Sequence, residues 1–284
     1  MKTIKISSLL ETDSDTYIAY MQPTYFINHG GGPCFFLDSG PMRNAWTELE
    51  TYLSGFASTL AKPPRTILII SGHWEEARPT VNAGIKPPLL FDYSGFPEYA
   101  YRLTWPAPGS PDLATRVCDL LRMAGIESGT DSLRGWDHGV FVPLKVMFPN
   151  ADIPTVQLSL QHGLDPATHL DIGRALAPLR KEDVLIIGSG QTYHNMSGFM
   201  RSSSAADPAA EAFNEWLCEA MIDGKTRDRS LIEWALSPGA RQAQPYEDHL
   251  LPVMVAAGAA SGELGHVDFQ AHVLGKPISG FRFG

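Results

Sequence analysis

Cysteine and positive charge are scarce in this sequence, and long apolar runs are missing. Three widely spaced cysteines in 284 residues offer neither a disulfide framework nor a zinc ribbon, and they fit a reducing compartment. Lysine and arginine number 22 against 31 aspartates and glutamates, and the net charge of -9 disfavours nucleic acid, because phosphate binding needs a basic face. No apolar run approaches the roughly 18 residues that cross a bilayer. We therefore expect a cytoplasmic protein with no nucleic-acid or membrane partner.

Several familiar catalytic motifs are also missing. The chain has no G-x-S-x-G elbow, no P-loop and no H-E-x-x-H pair, which argues against the enzymes that depend on them. The glycine-rich segment INHGGGP lacks the helix and the downstream acid of a dinucleotide-binding fingerprint. Residues 1–20 contain two lysines but no long apolar h-region, so we predict no signal peptide.

Strand-like and helix-like segments alternate along the chain. Apolar runs predict buried strands near residue 22, at 66–74, 153–160 and 182–191, and in the C-terminal tail. Helical spacing and start or stop signals predict helices at 41–61, 111–124, 166–180, 208–222, 229–236 and 250–260. Residues 84–109 and 201–206 are predicted loops. The alternation predicts one α/β domain spanning 1–284, with helices on both faces of a central sheet.

Five histidines stand at the ends of predicted strands or beside glycine turns. They are His29 (INHGGGP), His73 (IISGHWE), His138 (GWDHGVF), His194 (GSGQTYHN) and His249 (YEDHLLP). In open α/β sheets, active sites collect at the carboxyl ends of the strands. A single histidine there is more often a hydrogen-bonded loop residue. Several in the same topological position favour a site where neutral imidazoles bind iron or zinc, and the pattern alone leaves both interpretations open.

Longer segments resemble the class III extradiol ring-cleavage dioxygenases, in particular the DOPA 4,5-dioxygenase-like branch. The resemblance spans about residues 20–283. It is carried by HGGGP at 29–33, SGHWE at 71–75, FDYSGFPEYAYRLTWPAPG at 91–109, RGWDHGVFVPLKVMFP at 134–149, IPTVQLSL at 153–160, GSGQTYHN at 188–195 and EDHLLPVMVAAGAA at 247–260. The first motif departs from the commoner H-G-S-P form, with two glycines in place of one serine. The resemblance implies an α/β single domain with a central mixed β-sheet flanked by helices on both faces.

The resemblance also implies a mononuclear iron(II) site. Its ligands would be His29, His73 and His249. Related protocatechuate-cleaving enzymes of the class use two histidines and one glutamate, so Glu247 stands as the alternative third ligand. Zinc is expected in the isolated protein, because zinc is redox-inert and binds more tightly than iron(II).

Catalytic and substrate-binding positions follow from the same resemblance. His194 matches the family's acid/base histidine, which approaches the metal as a fourth ligand in zinc-loaded members, and His138 matches a second motif histidine over the substrate pocket. Aromatic side chains of the segment 91–109 are expected to wall that pocket, namely Tyr93, Phe96 and Trp105.

The expected reaction is the insertion of O2 into a catechol-type ring beside its hydroxyl pair, by a monomer or small homo-oligomer. Two alternatives stay open. One is a zinc-dependent hydrolase on the same scaffold, since zinc occupies three-ligand sites readily. The other is a non-catalytic metal-binding relative like the Memo-type proteins. The presence of both His138 and His194 argues against the latter, because a protein that only binds metal has no evident need for them.

Overall fold

A computed structural model describes residues 20–200 and 207–284. Residues 1–19, for which we predict no signal peptide, and the loop predicted at 201–206 lie outside the described residues. Within the described ranges, eight strands form one sheet in the order β4-β3-β5-β2-β6-β1-β8-β7. The strands are β1 (Thr24–Asn28), β2 (Thr66–Glu76), β3 (Thr80–Asn82), β4 (Gly129–Asp131), β5 (Thr155–Gln161), β6 (Val184–Gly190), β7 (Gly265–Val273) and β8 (Lys276–Phe283).

Helices connect the strands. They are α1 (Pro41–Ala45), α2 (Thr47–Thr59), α3 (Pro111–Met123), α4 (His138–Met147), α5 (Pro166–Leu176), α6 (Met196–Met200), α7 (Pro208–Ile222), α8 (Arg227–Ile232), α9 (Ala240–Ala243) and α10 (Leu251–Ala259). Helices α3, α5 and α7 share one kind of beginning. A side-chain oxygen of Ser110, Asp165 or Asp207 accepts from a free backbone N–H, and a proline follows at the first helical position. No helix of the described ranges is long and apolar enough to cross a membrane.

The centre of the sheet is parallel. Strands β5, β2, β6 and β1 run in the same direction, whereas β8 and β7 continue the sheet as an antiparallel pair. The prediction of a mixed sheet is therefore confirmed. Because β1, β2 and β6 are parallel neighbours, their carboxyl ends meet at one edge of the sheet.

Helices cover both faces of this sheet. Successive residues of a strand point to opposite faces. Gly188 of β6 lies against the backbone of Pro252 in α10, while the hydroxyl of the next residue, Ser189, donates to the carbonyl of Gly139 in α4. The apolar helix α10 is buried along its whole length, which confirms the prediction of a close-packing helix at 250–260.

Three predicted helices differ from the observed ones. The segment predicted at 229–236 is observed as α8 (Arg227–Ile232) followed by a 3-10 turn at Trp234–Leu236. The segment 41–61 forms two helices, because Trp46 leaves the helical conformation (φ -106°, ψ 10°) while its ring is buried. The helix predicted at 166–180 ends at Leu176 and continues as a 3-10 turn. Pro178 lacks the N–H that would extend the α-helix, and its ring would clash with the preceding turn.

Two glycines allow helices α5 and α10 to touch through their backbones. A Cβ on Gly173 would overlap the carbonyl oxygen of Val255, and one on Gly258 would overlap that of Leu170. We expect Gly173→Ala to lower the free energy of unfolding by about 1–3 kcal/mol, because the helices must separate. Urea denaturation measures this change.

Gly55 provides the matched control. It lies on the exposed side of α2, where a Cβ would meet nothing within 4 Å. Gly55→Ala should raise the free energy of unfolding by about 0.5–1 kcal/mol, since alanine favours the helix. Equal effects of the two substitutions would contradict the close packing of α5 on α10.

Candidate metal and active site

The edge formed by the carboxyl ends of the parallel strands carries three histidines. His29 directly follows β1, and its backbone N–H donates to Gly190 at the end of β6 (3.1 Å). His73 lies in an irregular part of β2, where pairing with β5 skips from Ile70 to Glu75. Such a bulge redirects side chains out of the regular ladder. The sheet thus brings residues from distant parts of the chain to one place.

The third histidine, His249, precedes α10 and sits against the end of β6. Its carbonyl accepts from the N–H of Gln191 (3.0 Å), and a Cβ on Gly190 would overlap that carbonyl, so the close approach requires glycine. The neighbouring Glu247 pairs instead with exposed Arg241 (2.5 Å). The structure therefore places His249, and not Glu247, beside the other two histidines.

The ring nitrogens of His29, His73 and His249 form a compact group. One nitrogen from each lies within 4.8 Å of the others, and Nε2 of His249 is 3.1 Å from Nε2 of His73. Burial lowers the pKa of each ring well below its ordinary value, and neighbouring imidazoles lower it further. The rings are therefore neutral, which is the form that binds metal ions.

His29 provides the clearest sign that this group fits a metal. Its Nδ1 lies 2.8 Å from the carbonyl oxygen of Gly30, so in the neutral ring the proton is on Nδ1. Nε2 then carries a lone pair, yet it is buried with no hydrogen-bond partner among the described residues. A buried polar atom without a partner costs free energy, and a divalent cation held by three imidazoles would supply the partner.

A fourth imidazole, His138 at the start of α4, lies beside this group. Its ring centroid is 3.9 Å from that of His73 and 5.2 Å from that of His29. Both its backbone N–H (2.9 Å) and its Nδ1 (2.8 Å) contact Oδ1 of Asp92, whose Oδ2 is 3.6 Å from Nδ1 of His73. Burial alone would raise the pKa of Asp92, but the hydrogen bonds from His138 and the electrostatic influence of the His138 and His73 rings lower it. Asp92 therefore positions two of the rings at once.

A buried carboxylate, Asp137, holds the backbone around these rings. It accepts from the Ser71 hydroxyl (2.7 Å), the Gln157 amide (2.5 Å) and Arg134 (3.1 Å), and Arg134 also donates to the carbonyl of His73 (3.1 Å). Burial raises the pKa of Asp137 above its usual range despite these donors. Sequence reasoning missed both Asp92 and Asp137. The signal available was an acid between two aromatic residues in FDY and an acid directly before His138 in GWDHG.

His194 lies on the far side of His249. The two rings stack at a centroid distance of 3.4 Å and an angle of 18°, and Nδ1 of His194 is 3.8 Å from Oδ1 of Asp248. Burial, followed by the field of His138, lowers the pKa of His194 to about 4, and burial raises the pKa of Asp248 to about 7. His194 is thus a neutral, partly exposed imidazole beside the group of three. With Asp248 and His249 it forms a second group whose ligand atoms lie within 4.8 Å of one another.

A cavity of about 290 Å³ opens beside the histidines. His29, His73, His138 and His194 contribute to its wall, and so do Tyr93 and Phe96, as the sequence predicts.

Trp105 does not line this cavity. It is buried in the core, where its indole N–H donates to the carbonyl of Phe148 (3.2 Å). His162 and His266, both exposed, also lie away from the cavity wall.

Comparison with known proteins finds relatives that cover most of the chain. The family model described as the catalytic LigB subunit of aromatic ring-opening dioxygenase matches residues 23–281. Two relatives are named 4,5-DOPA dioxygenase extradiol. The one from Beta vulgaris is 41% identical and covers 89% of this chain and 94% of its own, and the one from Portulaca grandiflora is 38% identical and covers 83% and 85%. The crystal structure of an uncharacterized protein from Escherichia coli K12 superposes with a TM-score of 0.73 at 28% identity, covering 93% of this chain and 100% of that chain.

The buried carboxylate Asp137 yields a stability prediction. Asp137→Ala should lower the free energy of unfolding by about 2–4 kcal/mol, because buried donors from Ser71 and Gln157 lose their acceptor. Asp137→Asn should cost less than half as much, since an amide can accept from Gln157 while donating to the Ser71 oxygen. Chemical denaturation compares them with Asp152→Ala, an exposed control expected to change stability by no more than about 0.5 kcal/mol. Equal losses for the alanine and asparagine variants would contradict the hydrogen-bond network.

Proposed function

The chain belongs to the LigB family of class III extradiol ring-cleaving dioxygenases, and from this premise we propose that it inserts O2 into a catechol at an iron(II) site formed by His29, His73 and His249. The observation that carries the proposal is the buried, unpartnered Nε2 of His29 beside the two close Nε2 atoms of His73 and His249. DOPA, which appears in the names of the relatives, is one candidate among catechols.

Iron(II) held by three imidazoles would keep positions open for two catechol oxygens and O2, and would provide the path for electrons between them. The chain's own task is to hold the three rings neutral and fixed. The carbonyl of Gly30 fixes the His29 ring, and Asp92 lies beside Nδ1 of His73. Hydrogen bonds to the outer nitrogen of a ligand histidine set its tautomer and orientation.

His194 is the proposed acid/base residue. It lines the cavity without belonging to the group of three, so its ring is free to take a proton from a substrate hydroxyl. It would later return that proton to an oxygen as the ring opens. The carboxylate of Asp248 lies 3.8 Å from Nδ1 of His194. It favours the tautomer in which Nδ1 carries the proton and Nε2 faces the substrate. Positioned proton transfer of this kind contributes about a hundred- to ten-thousandfold to a rate.

His138 is proposed to orient the substrate. Its Nδ1 contacts the Asp92 carboxylate, so in the neutral form of the ring the proton would lie on Nδ1 and Nε2 would be an acceptor. The ring also lines the cavity, next to Tyr93 (centroids 5.8 Å apart). It is therefore suited to accept a hydrogen bond from a substrate hydroxyl and to support His194 in returning the proton. Two such rings beside the metal group favour catalysis over passive metal binding.

Oxygen uptake tests the function. After chelation and anaerobic loading with iron(II), the protein should consume O2 with members of a catechol panel and form yellow semialdehyde products. The zinc-loaded protein should consume none, because zinc has no accessible redox change. Ester or amide hydrolysis that follows zinc content, with no O2 uptake by the iron form, would establish the zinc hydrolase instead.

Single alanine variants separate metal binding from chemistry. Loss of a residue that only supports a metal ligand lowers metal affinity about 10- to 100-fold. His29→Ala, His73→Ala and His249→Ala should each lower the affinity for iron(II) by more than that. His194→Ala should retain iron and bind a catechol with a visible spectral change, while turnover falls about a hundred- to ten-thousandfold. Metal analysis and oxygen-electrode rates measure the two effects.

His266→Ala is the control for these variants, since His266 is an exposed histidine in β7. It should match the parent protein in metal content and turnover. Full iron occupancy in two of the three ligand variants would refute the ligand set. Loss of iron from His194→Ala as complete as from His73→Ala would make His194 a ligand and transfer the acid/base role to His138.

A further inference from the structure

We propose that Gln191 is a positioning residue of the proposed metal site, because its side-chain amide holds the carbonyl that orients the ring of His29. This role rests on the proposed function and adds a residue to it. The two side chains share one acceptor. The carbonyl oxygen of Gly30 lies 2.8 Å from Nδ1 of His29 and also accepts from Nε2 of Gln191 (2.8 Å). One carbonyl thus connects a proposed ligand to a buried glutamine.

The acceptor of His29 belongs to a run of three glycines, Gly30 to Gly32. Glycine has the greatest backbone freedom of any residue, so such a run has little conformational preference of its own. Gly30 cannot be replaced by a more restricted residue, since its φ is +86° and a Cβ would overlap Sγ of Cys34. The peptide that carries the carbonyl therefore needs a partner from outside the run to hold its direction.

Gln191 comes from a firmly held part of the sheet. It directly follows β6, which pairs with β1 on one side and with β2 on the other. Its backbone N–H donates to the carbonyl of His249 (3.0 Å), and its side chain, only 2% exposed, extends to Gly30. Gln191 therefore connects two of the three proposed ligands, His29 through its side chain and His249 through its backbone.

The direction of the amide is fixed, and its other end has no partner. A reversed amide would set Oε1 against the carbonyl oxygen of Gly30, so Nε2 has to face that atom. Oε1 of Gln191 is then buried without a hydrogen-bond partner among the described residues. Such an acceptor costs free energy, and a methionine of similar length would fill the space without that cost. Packing alone therefore does not explain a glutamine here, whereas the bond to Gly30 does.

Loss of this bond should act on metal binding. Without the amide of Gln191 the Gly30 peptide can turn, and the His29 ring then loses the acceptor that fixes its tautomer and its direction. A residue that supports a ligand in this way contributes about 10- to 100-fold to metal affinity.

Gln191→Met tests the inference, because methionine keeps the size of the side chain and removes the amide. Competition with a chelator under anaerobic conditions measures the affinities for zinc and for iron(II). We expect both to fall about 10- to 100-fold. Gln191→Asn is the second variant, since its amide is one methylene shorter and its donor is drawn away from Gly30. It should show the same loss, and it decides the comparison if Gln191→Met does not fold.

Gln244→Met is the matched control. Like Gln191, Gln244 is a buried glutamine whose Nε2 donates to one backbone carbonyl, that of Gln191 (2.7 Å), and whose Oε1 has no partner in the described ranges. Gln244→Met should leave both metal affinities nearly unchanged. It should nevertheless lower the urea midpoint of the metal-free protein at least as much as Gln191→Met does. The reason is that it leaves a buried carbonyl unpaired, whereas the carbonyl of Gly30 keeps His29 as its donor.

NMR of the zinc-loaded protein, with isotope-labelled histidine, gives a readout that does not depend on activity. The Nδ1–H of His29 should exchange with solvent faster in Gln191→Met than in the parent protein, because its acceptor is no longer held in place. The exchange should be unchanged in Gln244→Met, which is not bonded to Gly30.

Gly31→Ala provides a test by rescue. Gly31 is not among the glycines with positive φ, and a Cβ there would meet the Trp46 ring at an ordinary 3.5 Å. Alanine restricts φ of residue 31, one of the two torsions that direct the Gly30 carbonyl. Adding Gly31→Ala to Gln191→Met should therefore restore part of the lost metal affinity and slow the exchange of the His29 Nδ1–H.

The outcomes separate the positioning role from the proposed function. Equal metal affinities in the Gln191 and Gln244 variants, unchanged exchange of the His29 Nδ1–H, or no recovery on adding Gly31→Ala would overturn the inference and leave the proposed reaction intact. A parent protein that binds iron(II) but consumes no O2 with any catechol would refute the reaction, while the metal comparison would still decide the role of Gln191. A parent protein that binds neither metal would overturn both.

Discussion

Five imidazole rings share one cluster at the edge of the sheet, and the site depends on keeping the rings of His29, His73 and His249 neutral. Protonation of any one ring would place a positive charge beside several others. Burial prevents this by lowering the pKa of His29, His73 and His249 well below the ordinary range. Neutral rings bring nitrogen lone pairs close together, and these lone pairs repel one another. A cation bound between them would turn this repulsion into metal–ligand bonds. The burial that keeps the rings neutral thus leaves their lone pairs available to a metal ion.

Carboxylates surround the cluster and divide its tasks. Asp92 contacts His138 and His73, Asp248 lies beside His249 and His194, and Asp137 accepts from the Ser71 hydroxyl of β2. Their pKa values diverge because their surroundings differ, with that of Asp92 lowered and those of Asp137 and Asp248 raised. The carboxyl groups thus lie behind the rings, where the ionised Asp92 favours a cation, and no acidic side chain belongs to the described cavity wall in front of them.

The sequence predicts what depends on local pattern. Apolar runs that end in glycine and histidine identify β2 and β6, and parallel pairing then brings His73 and His194 to one edge. The role of Asp92 depends on a contact with His138, 46 residues away, which no local pattern indicates. Trp105 was expected in the pocket wall because it lies in an aromatic-rich loop. Aromatic side chains of loops, however, pack into the core as often as they line pockets. Only the packed structure distinguishes these two environments.

The topology of the sheet links maturation of the site to completion of folding. His73 and His249, whose Nε2 atoms nearly touch, are separated by 176 residues of chain, and His29 joins them only after β1 has paired with the late strands β6 and β8. Contacts so distant in sequence form slowly, because loop closure must precede them. The three rings therefore come together only when these distant parts of the chain have paired. A metal ion bound by all three would stabilise the completed sheet and not its separate parts, so metal affinity would depend on the folding of the whole domain.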